Sequence, residues 1–314
     1  MKVLVFYPFD DAQIDGLRSA APTAEILHAR TEEEAVRFAA EAEALLGHFP
    51  PSVFAAGKRL RWVQSYSAGM DNFLYPAVTD SDVTVTNMAG MYASQGAEHA
   101  WALLLSLARG LPEYVRRQSR REWKSTRGAE LRGGVLGVIG LGGFGLEMAR
   151  RAAGYDMTVV ALDPVREERP SFVSELRRPT RDALEELLGR SDAVMIACPK
   201  TPETTHLIGA EELRRMKPTA YLINVTRGGI IDEAALAEAL TQGRIAGAGL
   251  DVFEQEPLAE DSPLWDCENC LITAHSAGSS QHRPRLVYEF FRDNLVRYLG
   301  GEPLRNVIDK RRGF

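Results

Sequence analysis

The stretch from Val135 to Ala152 reads VLGVIGLGGFGLEMARRA: an apolar strand, then Gly140-x-Gly142-x-x-Gly145, then a helix. A glycine triplet alone is a weak signal, but strand, turn and helix stand here in the order a dinucleotide-binding unit requires. The first glycine lets the chain turn sharply, the second admits a pyrophosphate to backbone N–H groups, and the third lets helix and strand pack closely. The helix N-terminus adds free N–H groups and a positive dipole end. The next strand, MTVVALD, ends in Asp163, eighteen residues past Gly145. A carboxylate there accepts hydrogen bonds from the adenosine ribose hydroxyls and repels a 2′-phosphate, which favours NAD. Arg166 and Arg169 close by offer a phosphate an alternative, so NADP stays open. Phe144 inside the turn, with Pro199 and Thr226, completes the cofactor-binding set.

Outward from this unit, short β-rich runs alternate with helical patterns along nearly the whole chain. They fall at Lys2 to Tyr7, Trp62 to Ser65, Val83 to Thr86, Thr158 to Leu162, Ala193 to Ile196, Ala220 to Asn224 and Gly247 to Asp251. Most are continuously apolar, as expected of parallel strands covered on both faces. The fold class is therefore α/β, built of βαβ units. The segment from Ala93 to Leu111 is apolar around much of its circumference, which predicts a helix buried on more than one side and suits it to pack on a second subunit. The basic run Arg116, Arg117, Arg120, Arg121, Lys124 and Arg127 that follows is interleaved with Glu113, Glu122 and Glu130, the pattern of a solvated helix face.

The 314 residues carry 37 Lys+Arg against 43 Asp+Glu, a net charge of −6, with 45% hydrophobic residues. This length suits two domains better than one core. The mild acidity argues against nucleic acid as a partner, because sequence-independent binding draws on a basic surface. No apolar run is long enough to span a membrane and the N-terminus reads as a strand rather than a signal peptide, so a cytoplasmic protein without a membrane partner is expected. Cys198, Cys267 and Cys270 are too few for a disulfide framework. Cys267 and Cys270 form a C-x-x-C with no second ligand pair, so no metal is expected.

Three later strands run into conspicuous polar residues, and in doubly wound sheets the carboxyl ends of strands line the ligand crevice. AYLINV leads to Thr226-Arg227-Gly228-Gly229, GAGLDVF to Glu254-Gln255-Glu256-Pro257, and CLITA to His275-Ser276-Ala277-Gly278. A 2-keto acid needs a cation for its carboxylate and carbonyl oxygen, and the guanidinium fork of Arg227 offers one. Reduction of the carbonyl needs a proton, which His275 can supply. A carboxylate on that imidazole fixes its tautomer, the part that falls to Glu256. The other histidines, His28, His48, His99, His206 and His282, show no matching Arg and acid at neighbouring strand ends. Phe9, Tyr66, Met91 and Trp123 are candidates for the pocket around the substrate tail, and the sequence places no extra cation there for a phosphorylated substrate.

These motifs resemble those of the D-isomer-specific 2-hydroxyacid dehydrogenases over essentially the full length: QSYSAGMDN, TNMAGMYASQGAEHAWALLLSLAR, GLGGFG, CPKTPETTHLI, INVTRGGIID, GAGLDVFEQEPL and ITAHSAGSS. The resemblance implies that Arg227 binds substrate, that His275 is the acid/base with Glu256 as its partner, and that Asp251 bonds the nicotinamide carboxamide. The backbone at Ala68 and Gly69 would receive the substrate carboxylate. It further implies two Rossmann-like doubly wound parallel-sheet domains. The substrate domain would be discontinuous, residues 1–97 and a returning C-terminal helix in 281–314, with the dinucleotide domain at 98–280. Catalysis would lie in a cleft that hinge closure dries, and the Ala93 to Leu111 helix would form a homodimer.

Ala89, Thr226 and Ser276 depart from the family's usual residues, which leaves the substrate open without removing a catalytic group. Glu256 argues against formate dehydrogenase, and the lack of a lysine in QSYSAG argues against phosphite dehydrogenase. The expectation is an NAD(P)-dependent reductase or dehydrogenase of a small 2-keto or 2-hydroxy acid such as glyoxylate or hydroxypyruvate. The alternative is a dinucleotide-sensing binding protein, corepressor-like, on the same fold.

Overall fold

The structure, a computed structural model, describes residues 1–313. They form two compact units: residues 1–92 together with the chain from Ser280 onward, and the continuous span from Ala93 to Ser279.

The first unit holds β1 (Lys2–Phe6), β2 (Glu25–His28), β3 (Ala44–Gly47), β4 (Trp62–Ser65) and β5 (Thr84–Thr86) in the order β2-β1-β3-β4-β5, every pair parallel. Leu4, Leu45, Val63 and Val85 from adjacent strands and Phe49 beyond β3 share its core. The helix Arg283–Gly300 belongs to this unit because of a buried polar chain. Asn294, fully buried, donates to Gln64 Oε1 at 2.7 Å and to Arg305 O at 3.1 Å, and accepts from Arg305 N at 2.9 Å. Gln64 in turn accepts from Thr86 Oγ1 at 2.7 Å, which takes the Trp62 indole N–H at 2.9 Å. Such groups are costly to bury unless every one finds a partner, and here the partners come from opposite ends of the chain.

The second unit holds β6 (Val135–Ile139), β7 (Thr158–Leu162), β8 (Glu175–Arg177), β9 (Ala193–Ile196), β10 (Tyr221–Asn224), β11 (Gly247–Leu250) and β12 (Cys270–Ile272). The order β12-β11-β10-β9-β6-β7-β8 is that of a dinucleotide-binding sheet with one added strand, again all parallel. Its switch point lies between β6 and β9.

The helix Ala93–Ala108 packs in this unit, with Ala97, Ala100, Trp101, Leu103 and Leu104 buried in a core shared with Leu136, Val138 and Ile223. Its apolar breadth is thus largely satisfied inside one chain. A domain boundary at 97 would cut this helix; the boundary stands at its first residue. The helix also stops short of the expected Leu111, because Gly110 turns the chain at φ +66° and a second helix, Leu111–Ser119, begins. That second helix buries none of its residues, and its Arg116 and Arg117 are held by Glu113 at 3.1 and 2.6 Å, the solvated face its charges suggest. No helix among the described residues is long and apolar enough to cross a membrane.

Candidate active site

The glycine turn follows β6, at the switch point. Gly140 has φ +93°, and a Cβ there would stand 2.6 Å from Cys198 N beyond β9. At Gly145 a Cβ would stand 2.0 Å from Gly140 O, so helix and strand touch backbone to backbone. A Cβ on Gly142 would meet nothing within 4 Å among the described residues, which leaves that face open to a ligand. Among the described residues no side chain caps the helix Gly143–Ala152 that Gly142 begins, so its first N–H groups are unpaired by any cap. An open glycine beside an uncapped helix start fits a pyrophosphate. Phe144 lays its ring against Gly96, where an added Cβ would sit 2.1 Å from the ring, so only its backbone is offered to a cofactor.

Asp163, one residue past β7, is 9% exposed and engages its own loop. Oδ2 accepts from Leu141 N at 2.7 Å, while Oδ1 accepts from Val165 N at 2.8 Å and Arg166 N at 2.7 Å. Oδ2 therefore keeps one lone pair for a ribose hydroxyl, whereas Oδ1 is filled. The Arg166 side chain folds back, its Nε donating to Leu141 O at 2.8 Å. Thr226 is tied across β9 and β10 by bonds to Asn224 Oδ1 at 3.2 Å and Cys198 O at 3.4 Å. Pro199 lies exposed, its carbonyl taking the Thr204 hydroxyl at 2.7 Å.

The three polar strand ends lie together at the carboxyl edge of β10, β11 and β12. Arg227 is half-buried; its Nη1 donates to Thr226 O at 2.8 Å, and Asn224 Nδ2 donates to Arg227 O at 2.8 Å. A Cβ on the next residue, Gly228, would stand 1.8 Å from Phe253 O, so this loop lies directly on the segment carrying Glu256. Glu256 Oε1 accepts from Phe253 N at 3.0 Å and Oε2 meets His275 Nδ1 at 2.6 Å. One carboxylate oxygen is thereby anchored to backbone and the other orients the imidazole. His275 itself sits at φ +47°, a left-handed conformation unusual for a residue with a side chain, held by its N–H donating to Asp251 O at 2.8 Å. The Nε2 edge makes no hydrogen bond among the described residues, and the side chain is 49% exposed. The ring is thus presented Nε2 outward.

Asp251 is completely buried and holds the same turn from beneath. Its carboxylate accepts from Ser276 N at 2.9 Å, Ala277 N at 2.8 Å and Thr273 Oγ1 at 2.5 Å, and His99 Nε2 approaches Oδ1 at 3.4 Å. His99 therefore does have an acid, against the sequence reading, and donates or accepts with Thr273 Oγ1 at 2.8 Å as well. The pairing is invisible in sequence because His99 lies on a helix, more than 150 positions from its partners. His206 likewise meets Glu254 at 2.9 Å.

In the first unit, Ala68 and Gly69 lie on the loop after β4. Asn87 Nδ2 donates to Ala68 O at 2.8 Å, Ser67 Oγ to Gly69 O at 2.8 Å, and Tyr92 OH to Tyr66 O at 2.8 Å, so the loop's carbonyls are held inward. Of the pocket candidates, Phe9 is core, packed on Tyr288 and Phe291, and Trp123 is fully exposed. Tyr66 stands beside His48 with ring centroids 4.2 Å apart. Burial pushes the Cys198 and Cys270 thiols up to about 12, which keeps them protonated. Among the described residues no group of three His, Cys, Asp or Glu is placed to hold a metal.

The sequence model for the D-isomer specific 2-hydroxyacid dehydrogenase NAD binding domain matches residues 101–277. Glyoxylate reductase of Korarchaeum cryptofilum is 39% identical over 264 residues, 82% of this chain and 79% of that protein. D-3-phosphoglycerate dehydrogenase of Archaeoglobus fulgidus is 35% identical over 98% of this chain, which spans only 59% of that longer protein. The crystal structure of a D-isomer specific 2-hydroxyacid dehydrogenase from Xanthobacter autotrophicus Py2, in complex with NADPH and MES, superposes with a TM-score of 0.85 at 32% identity, covering 99% of both chains.

Proposed function

Because the chain belongs to the D-isomer specific 2-hydroxyacid dehydrogenase family, and so to the NAD(P)-dependent oxidoreductases, we propose that it interconverts a small 2-keto acid and its D-2-hydroxy acid, with His275 as acid/base. The observation that carries this reading is the 2.6 Å bond from Glu256 Oε2 to His275 Nδ1, with Glu256 Oε1 anchored to Phe253 N. A carboxylate so fixed holds the Nδ1–H tautomer and stabilises the imidazolium, leaving Nε2 to exchange a proton with the substrate oxygen. Arg227 pairs with the substrate's carboxylate and carbonyl oxygen, and the backbone at Ala68 and Gly69 receives the same carboxylate. The dinucleotide supplies or takes the hydride. Gly142 and the Phe144 backbone would hold its pyrophosphate in a turn that Gly140 and Gly145 shape, Asp163 its ribose, and Pro199 and Thr226 its nicotinamide end, while the buried Asp251 carboxylate fixes the Ser276–Ala277 turn behind it. With Asp163 intact, NAD is the preferred form.

The decisive experiment is oxidation of NADH and NADPH with a panel of 2-keto acids including glyoxylate and hydroxypyruvate. Turnover with at least one acid is expected, together with a loss of about 100-fold or more in His275→Ala. Equal turnover in the variant removes His275 from the chemistry. We also place a homodimer on the open side of the Ala93–Ala108 helix, where Leu105 and Leu107 are only partly buried.

A further inference from the structure

Unit 1 has its own switch point. Its strand order is β2-β1-β3-β4-β5, so the connections leave β1 and β3 in opposite directions, and crevices of this kind open at the carboxyl ends of the strands. Three ring-bearing residues stand one position past those ends: Tyr7 after β1, His48 after β3 and Tyr66 after β4. Their rings meet as a three-membered cluster, with centroids 5.9 Å apart for Tyr7 and His48, 4.2 Å for His48 and Tyr66 and 5.6 Å for Tyr7 and Tyr66. None of the three is fully buried, and Tyr66 opens the loop that carries Ala68 and Gly69.

A cation stands beside this cluster, reached through Tyr92, whose hydroxyl donates to Tyr66 O at 2.8 Å. Arg283, the first residue of the returning helix, lies with its guanidinium 4.9 Å from the centre of the Tyr92 ring. Its positive charge pulls the Tyr7, Tyr66 and Tyr92 phenols down, although burial outweighs it and leaves all three raised. Among the described residues Arg283 is partnered by Tyr92, and its Nε is shut off from solvent without an acceptor. Most arginines of this chain behave otherwise: Arg117, Arg151, Arg190 and Arg297 each hold a carboxylate. A guanidinium kept over an aromatic ring with a donor unmet is poised for an anion that arrives with a ligand.

We propose that Arg283, with the hydroxyls of Tyr7 and Tyr66, is a specificity-determining cation that selects 2-keto acids bearing a second anionic group at the end remote from the reacting carbonyl. This rests on the reading that Ala68 and Gly69 receive the first carboxylate, since those residues share the loop with Tyr66. It also supplies what the sequence reading lacked, a cation for a doubly charged substrate. A remote carboxylate and a remote phosphoryl group present the same oxygens to a guanidinium, and the assay separates them.

The test compares kcat/KM for 2-oxosuccinate and 3-phosphonopyruvate with that for 2-oxobutanoate, in wild type and in Arg283→Met. In wild type at least one of the anionic-tailed acids is preferred over the neutral one by about 10-fold or more. The methionine variant lowers that ratio by about 10- to 100-fold, the scale of a charge-assisted bond. The ratio is read rather than either rate, so general damage cancels. Arg283→Gln gives the same readout should the methionine variant fail to fold. A wild-type ratio near one, or a ratio that the variants leave unchanged, overturns the inference; the better of the two anionic tails identifies the group selected. Absence of NADH or NADPH oxidation with every acid is instead the failure of the proposed function. In that event calorimetric titration of the NAD-saturated protein with succinate and with butanoate decides Arg283 by itself. Succinate binding about 10-fold tighter, lost in the variant, supports the site, and equal binding of the two acids overturns it.

Discussion

At the scale of single residues, the site is a set of carboxylates whose oxygens are already committed. Glu256 spends one oxygen on Phe253 N and the other on His275. Glu256→Gln retains an acceptor for the Nδ1–H but removes the charge that stabilises imidazolium, so steady-state turnover is expected to fall by about 10- to 100-fold; an undiminished rate would leave Glu256 with only a structural part. Asp163 keeps one lone pair free. Asp163→Ala should lower the kcat/KM preference for NADH over NADPH by about 10-fold, and an unchanged ratio would remove Asp163 from cofactor choice. Glu233 is different in kind, because burial, with Glu254 and Glu256 nearby, holds its carboxyl above the usual range, although the bond from Glu254 N opposes them. The folded chain therefore binds this proton more tightly than the unfolded one. Stability is lost as pH rises from about 4.5, the ordinary value, through the raised one. The melting temperature of Glu233→Gln relative to wild type should accordingly gain between pH 4 and pH 7, and a constant difference would contradict the assignment. That Arg227, Glu256 and His275 follow β10, β11 and β12 is legible in the sequence, because each lies in a glycine- or proline-marked turn. The pairing of His99 is not, since its bond to Thr273 joins a helix to a loop through a distance only folding supplies.

At the scale of elements, the strand–turn–helix unit makes two glycines do opposite things. Gly142 faces open space at φ −75°, whereas Gly145 lies against the Gly140 carbonyl. Gly142→Ala should keep the wild-type melting temperature within a degree or two yet bind NADH at least about 10-fold more weakly, by fluorescence titration. Gly145→Ala should lose both, with destabilisation of about 1–3 kcal/mol from overpacking. If both variants melt and bind alike, the open face of Gly142 is not where the pyrophosphate goes. The apolar strands of the second unit were readable almost to the residue, because each is a continuous run covered on both sides. β2 and β3 were not, since EILH opens on a charge and ALLG is built mainly of good helix formers, and β8, ELR, carries charges at both ends. Sheet pairing, not propensity, makes these strands.

On the scale of the whole molecule, the parallel sheets and the family membership followed from motif order, but the division of the chain is a matter of buried chemistry. Asn294 is the link whose loss would strand a polar atom on each side. Asn294→Leu should destabilise the protein by about 2–3 kcal/mol in urea unfolding, because Gln64 and the Arg305 backbone lose partners inside the core. A change under about 0.5 kcal/mol would mean that the amide network does not secure the returning helix.

That network also sets an order of events during synthesis. The span from Ala93 to Ser279 is contiguous and can close its sheet as it leaves the ribosome, whereas Gln64 must wait for a residue made 230 positions later. The strands of the first unit thus emerge before the second unit and are completed after it, and until Asn294 arrives the surface that the returning helix covers is what a nascent-chain chaperone would find.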